Sequence, residues 1–209
     1  KLIAWKNSGI NRLSIGIQSF YDEHLKWMNR AHDAEQAQRS VKEAQKAGFS
    51  NITIDLIYGI PGMNLNDWKK NLQKAFDLNV NHISAYCLTV EKGTALHHFV
   101  KSGKSQNVND EMAAEQFLLM QEEMQKNGFI AYEISNYGKE NYFSQHNTSY
   151  WKGESYLGAG PSAHSYNKTS RQWNISNNKR YIDAISQKKT YSEPETLSAK
   201  DHYNEYIMT

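Results

Sequence analysis

Apolar and polar residues alternate along three stretches of the chain. In INRLSIGIQSF (10–20), Leu13, Ile15 and Ile17 fall on one side of an extended backbone, and Arg12, Ser14, Gly16 and Gln18 on the other. In NITIDLIYGIPGM (51–63), Ile52, Ile54 and Leu56 oppose Thr53 and Asp55; HISAYCLTVEKGT (82–94) is the third stretch. A period of two marks a strand with two unlike faces. Helical patterns separate the three, and strands alternating with helices predict a parallel sheet. Parallel strands covered on both faces are normally apolar throughout. A polar face here therefore predicts a barrel or open barrel with a wet, ligand-holding interior.

The remaining periodicities fill in the order of elements. Residues 1–8 read as the tail of a helix, followed by a strand at 11–17 and a short helix near 21–28. Asp33 and Gln36 form a capping box. The helix behind it places Ala34, Ala37, Val41, Ala44 and Ala47 on one face and ends at Gly48. A strand at 52–57 follows. Asn64 and Asp67 resemble a second box, opening a helix to about 77 with Trp68, Leu72, Ala75 and Phe76 inward, and a strand at 82–88 comes next. After Gly93 the rhythm changes to a long amphipathic helix near 109–126. AYEIS (131–135) predicts a strand, 136–150 a polar loop, and LGAGPSAHSY (157–166) a strand entry broken by Gly and Pro. A strand at 171–175 and helices at 178–187 and from 197 onward complete the pattern. About five strand–helix units result. A closed eight-unit barrel takes about 250 residues, so 209 residues predict an α/β fold with a partial TIM-like (β/α) barrel. Barrel units are expected over 1–105. The end of the barrel and the start of a smaller α+β C-terminal region are expected over 106–209. An opened barrel leaves the strand at 11–17 with a free pairing edge, expected to be covered by another molecule or a terminal segment.

Charge and cysteine usage narrow the partners. A net charge of +2 gives no argument for nucleic acid or a membrane surface. No run of 18 apolar residues spans a membrane. Cys87 is the single cysteine, so no internal disulfide forms and a reducing cytoplasm is the expected compartment. One thiol also falls short of an iron–sulfur cluster, which takes several. The chain begins at Lys1 rather than Met and closes on KDHYNEYIMT, which reads as an unfinished helix. A longer parent protein is expected.

In parallel barrels ligands sit at the carboxyl ends of the strands, which singles out Gln18, Asp55, Tyr58, Thr89 and Glu91. A carboxylate in mid-strand, such as Asp55, must be paired or hydrogen-bonded. It could accept from a ligand's ribose or amino group, or from Arg12 or Arg30 inside the barrel. GIPGM (59–63) lets backbone approach a ligand and equally makes an ordinary tight turn. HNTSYW (146–151) would suit a planar macrocycle, with a His axial ligand beside flat rings; a loop anchored by Tyr150 and Trp151 is the simpler reading of the residues alone. His164 reads as a ligand contact or a hydrogen-bonded core histidine, and His97 and His98 as solvated. No nucleophile elbow, phosphate loop or HExxH helix is present.

Taken in order, GINRLSIGIQSF, NRAHDAEQA (29–37), NITIDLIYGIPG, HISAYCLTVEKGT, YEISNYGK (132–139), HNTSYW and YLGAGPSAHS resemble the radical S-adenosylmethionine proteins, in the subgroup like the oxygen-independent coproporphyrinogen III oxidases. Within it, HNxxYW resembles the signature of the heme-chaperone (HemW-like) branch. The resemblance implies a partial (β/α)6 barrel that carries S-adenosylmethionine and a [4Fe–4S] cluster, followed by a smaller C-terminal region. It implies cofactor contacts at Gln18, Arg30 and Asp55, with Thr89 and His164 less directly matched. It implies heme contacts at His146, Asn147, Tyr150 and Trp151, with His146 as axial ligand. The family's CxxxCxxC loop does not occur in this chain and is expected upstream of Lys1, so the chain alone should run no radical chemistry and should bind S-adenosylmethionine poorly. The expected function is a heme chaperone that delivers heme to acceptor proteins, with radical oxidative decarboxylation of coproporphyrinogen III as the alternative. A homodimer is compatible with either.

Overall fold

The structure, a computed structural model, describes Lys1–Met208. The three alternating stretches are β1 (Arg12–Gln18), β2 (Asn51–Tyr58) and β3 (His82–Cys87), paired in parallel in that order. α1 (Leu2–Asn7) precedes them. α2 (Asp22–Trp27) and α3 (Ala34–Lys46) link β1 to β2, and α4 (Leu65–Asp77) links β2 to β3. The Asp33–Gln36 capping box forms in full. Asn64 caps α4 by accepting from the Asp67 amide at 3.0 Å. α3 buries Ala37, Val41 and Ala44, and α4 buries Trp68, Leu72 and Ala75. These share one core with Ile17, Ile52, Ile54, Leu56 and Ile83 from the sheet. Burying each large apolar side chain contributes about 1.5–3 kcal/mol. A one-residue register slip would turn that whole set over, so the apolar side fixes which way the polar side looks.

After β3 come α5 (Ala95–Lys101) and α6 (Asp110–Lys126); α6 packs on α4 and β2 and buries Met120 and Met124. The chain then forms β4 (Ile130–Ala131) and β5 (Asn136–Gly138), both antiparallel to their neighbours, giving the sheet order β1-β2-β3-β5-β4. This departs from the periodicity. Of the AYEIS strand only Ala131 is extended, whereas Asn136–Gly138, expected as loop, is a buried strand. The Glu133 carboxylate accepts from the Ser135 amide at 3.2 Å and from the Asn136 side-chain amide, folding 132–135 back on itself. The parallel run therefore stops at three strands instead of about five units. No strand pairs with the outer side of β1 among the described residues, so the cover expected from a terminal segment is not supplied there.

Two compact units result, Lys1–Phe143 and the residues from Ser144 on. Because α6 packs back on the first unit and β5 extends its sheet, the first unit takes in residues 106–143, the opening part of the span expected to hold the end of the barrel.

The second unit holds α7 (Gln145–Trp151), β6 (His164–Tyr166), β7 (Ser170–Asn174), α8 (Asn178–Ser186), β8 (Ser192–Thr196) and α9 (Ala199–Met208). β6, β7 and β8 form an antiparallel sheet in that order. β8 escaped the pattern reading because SEPET is polar and contains Pro194; as an edge strand it tolerates both. HNTSYW is helical rather than loop. Ser144 caps α7 by accepting from the Asn147 amide at 3.4 Å. Asn174, almost wholly buried, donates from Nδ2 to the carbonyls of Gly158 (3.3 Å) and Gly160 (2.8 Å). A Cβ on Gly158 would lie 2.1 Å from the His164 carbonyl oxygen, so only glycine lets this loop lie against β6.

Candidate functional site

Register lines the polar residues of the first unit into rows. Gly16, Asp55, Ser84 and Asn136 are successive partners across β1, β2, β3 and β5, and Ser14, Thr53, His82 and Gly138 form the row beneath. Asp55 is half-buried. Its side chain accepts from the Ser14 hydroxyl, at 3.2 and 3.4 Å to its two oxygens, with the Ser84 hydroxyl also acting on it. Neither arginine proposed as its partner reaches it. Arg12 donates to Asn51 Oδ1 (3.1 Å), Thr53 Oγ1 (2.7 Å) and the Tyr142 carbonyl (3.1 Å). Arg30 is exposed and makes no side-chain hydrogen bond or ion pair among the described residues. Burial pushes the Asp55 carboxyl above its ordinary value, with the Ser14 and Ser84 hydroxyls opposing the shift.

A carboxyl raised in the folded state ionises in the unfolded chain first. Stability is therefore greatest below its ordinary value of 3.8 and falls as pH rises through the folded value. Asp55→Asn should leave stability at pH 7 unchanged or higher, and the difference from wild type should vanish below 3.8. Denaturant titrations at both pH values check this; a clear loss of stability at pH 7 would show that Asp55 serves the fold.

Gln18 ends β1 beside a register shift between Gly16 and Gln18, with φ +68. A non-glycine residue in that region costs about 1–3 kcal/mol and persists only where its surroundings over-determine it. Here they do. Buried Asn71 accepts from the Phe20 amide at 2.7 Å and from Ser19 Oγ at 3.3 Å. Ser19 Oγ lies 3.0 Å from His24 Nδ1, and His32 Nε2 meets the Ile17 carbonyl at 3.0 Å. The result carries the Gln18 amide over Gly16. A Cβ added at Gly16 would sit 2.7 Å from Gln18 Nε2 and 4.0 Å from Asp55 Oδ2. Gln18 and Asp55 therefore share one face.

In the lower row, His82 is 1% exposed. Its Nε2 meets the Tyr132 hydroxyl at 2.7 Å, and Nδ1 is buried without a partner. Burial, with the Arg12 charge adding to it, holds the imidazole down at about 3. The other strand-end residues make local contacts or lie exposed. Thr89 is exposed and donates to the Cys87 carbonyl at 3.4 Å. Glu91 is exposed, and Tyr58 is buried with its ring centroid 5.5 Å from that of Trp68. The GIPGM loop is a clipped turn. Gln116, fully buried on α6, accepts from the Gly59 amide (2.7 Å) and donates to the Met63 carbonyl (2.8 Å). Ser14 was read only as part of a polar strand face, and Ser84, Asn71 and Gln116 were not singled out from the sequence. Ser84 could have been found by counting the polar alternation across strands, whereas Asn71 and Gln116 lie on helices whose pattern gives no hint of their partners.

The second unit holds the other candidates. His164 is exposed on β6, its ring centroid 6.2 Å from that of Trp173, so it is not a core histidine. On α7, His146 and Tyr150 are one turn apart, with the His146 Nε2 3.0 Å from the Tyr150 hydroxyl. Rings continue from Tyr150 to Tyr156 (4.7 Å) and from Tyr156 to Tyr166 (5.9 Å), and the Arg171 guanidinium lies 5.7 Å from the Tyr166 centroid. Tyr150 is 45% and Trp151 39% exposed, so neither anchors a satellite core. The Asn147 side-chain nitrogen and the Thr148 hydroxyl are buried without partners. A cavity of about 560 Å³ opens beside these rings, lined by Tyr150, Trp151, Tyr156, Tyr166, Arg171 and His202 among others. His146 is exposed and lies outside the lining.

Residues 1–75 match the model of the radical SAM superfamily. The chain is 36% identical over 188 residues to the heme chaperone HemW of Bacillus subtilis (strain 168), covering 90% of this chain and 50% of that protein. It is 34% identical over 202 residues to the heme chaperone HemW of Lactococcus lactis, covering 97% and 53%. It superposes on a solved structure of coproporphyrinogen III oxidase (HemN) from Escherichia coli, a radical SAM enzyme, with a TM-score of 0.78 at 19% identity, over 99% of this chain and 50% of that one. That likeness gives the fold, a partial TIM-like barrel with its following region. The chain spans about half the length of the curated HemW relatives it matches.

Proposed function

We propose, for a chain whose residues 1–75 belong to the radical SAM superfamily and which is homologous to the HemW heme chaperones, that it binds heme in its second unit and passes it to acceptor proteins. The observation that carries this is the aromatic wall from Tyr150 to Tyr166 beside a cavity of about 560 Å³ that also presents the Arg171 guanidinium, paired with Glu205, and the His202 imidazole. Cavities of roughly 300–1,000 Å³, mostly aromatic with a few polar groups, suit small cofactors. Of the α7 residues, Tyr150 and Trp151 face the cavity, where flat rings stack on a macrocycle, while His146 meets the Tyr150 hydroxyl from outside the lining and Asn147 lies next to it in the helix.

S-adenosylmethionine belongs to the polar face of the first unit. Asp55, a half-buried carboxylate with no cation beside it, would accept from hydroxyl or amino groups of the cofactor, and the Gln18 amide would orient it, while Gly16 leaves room for close approach. Arg30 and Thr89 are secondary contacts in this reading. The cofactor supplies a reactive sulfonium when bound. A [4Fe–4S] cluster does not fit this chain's own donors, because Cys87 is its single thiol.

Titrating hemin into this chain and into its His146→Ala form tests the heme reading. A saturable shift of the Soret band in wild type, weakened in the variant, is expected. No saturable shift in wild type, or equal and weak shifts in both, would remove it.

A further inference from the structure

We propose that the atom offered to the heme iron is the Tyr150 hydroxyl oxygen, with His146 as the positioning residue that holds it, an inference that rests on the heme reading above. Two observations bring this about. Tyr150 lines the cavity and His146 does not. The His146 Nε2, the ring nitrogen an axial histidine would most readily use, is engaged by Tyr150 at 3.0 Å, with the two rings nearly perpendicular at 78°. A four-residue helical spacing puts the two side chains on one face, which brings the imidazole onto the phenol hydroxyl. Phenolate oxygen is a known class of axial ligand to ferric heme. A neutral phenol binds iron poorly until its proton has somewhere to go.

The step balances within the pair. The Tyr150 O–H bond breaks as the iron–oxygen bond forms. The proton passes along the existing hydrogen bond to His146 Nε2, in the tautomer where that nitrogen accepts, and no oxidation state changes. A hydrogen-bonded residue one step behind a metal ligand typically tunes affinity about 10–100-fold. The geometry thus gives the two residues of the HNxxYW pattern unequal parts: the tyrosine touches the iron and the histidine acts through it.

The experiment is an optical and resonance Raman titration of this chain with hemin, run in parallel with iron-free protoporphyrin IX. Wild type is expected to show a ferric tyrosinate signature. Tyr150→Phe should lose that signature and bind hemin at least about tenfold more weakly, yet bind the iron-free ring as wild type does, since only a hydroxyl has gone from an exposed side chain. His146→Ala should keep the tyrosinate signature at shifted frequency with affinity down about tenfold, and His146→Gln, which still offers an acceptor, should recover part of the loss. A tyrosinate-free spectrum in wild type overturns the proposal. So does full retention of hemin affinity in Tyr150→Phe, or equal loss of both rings by it. Removal of the ligand signature by His146→Ala or His202→Ala while Tyr150→Phe keeps it also overturns the proposal, but leaves heme binding standing. A wild type that binds neither ring overturns the heme reading itself.

Discussion

Gly16→Ala is expected to weaken S-adenosylmethionine binding by about tenfold or more in the full-length protein while leaving the fold intact. The added Cβ would meet Gln18 Nε2 at 2.7 Å, with Asp55 Oδ2 4.0 Å away. What must yield is the far end of a flexible side chain, so the backbone stays where it is. Gly16 has an ordinary strand φ, and alanine at such a position lowers the entropy of the unfolded chain by about 0.4–1 kcal/mol. The Gln18 amide, however, is displaced from its place over Gly16 beside Asp55. Losing one or two hydrogen bonds to a bound ligand costs about 1–3 kcal/mol, and every 1.4 kcal/mol is about tenfold in affinity. Unfolding curves that match wild type, together with a lost binding isotherm, are the expected pair of results. Unchanged binding would place the cofactor elsewhere.

Acid should destabilise the chain through His82. Its ordinary value of 6.5 falls to about 3 in the folded state. The unfolded chain therefore takes up a proton first as pH falls, so stability is complete above 6.5 and is lost progressively from 6.5 toward about 3. One proton corresponds to a slope of up to ~1.4 kcal/mol per pH unit, or roughly 2–3 kcal/mol over two units. That is a large share of the ~5–15 kcal/mol by which domains are stable. The cause is visible in the packing: Nε2 is committed to the Tyr132 hydroxyl, Nδ1 has no partner, and Arg12 adds its charge nearby. His82→Gln keeps a group able to meet Tyr132 and removes the titration. Its stability should be flatter than wild type between pH 6.5 and 4.5 in urea titrations. Parallel slopes in the two proteins would mean that another group carries the acid response.

The alternation of Leu13, Ile15 and Ile17 against Ser14, Gly16 and Gln18 was enough to place β1, because a buried face fixes register and its opposite follows. The same holds for β2 and the α3 and α4 faces. What followed β3 was harder to read. The turn at 132–135 depends on where the Glu133 carboxylate points, and no periodicity records that. HNTSYW reads as loop because it is polar and aromatic, yet a single serine cap at Ser144 makes it helix and so pairs His146 with Tyr150. Gln18 and Asp55 were legible as strand-end residues. That they share a face depends on the irregularity between Gly16 and Gln18 and on the Asn71, His24 and His32 contacts behind it, which join residues up to 52 positions apart.

The polar face is tested most directly by equilibrium dialysis of S-adenosylmethionine against the cluster-loaded full-length protein and its Asp55→Asn form. Binding at least about tenfold weaker in the variant, with stability equal to or above wild type, is the predicted result. Equal affinity in the two proteins would contradict it, and would leave the carboxylate between Ser14 and Ser84 with no role in holding a cofactor.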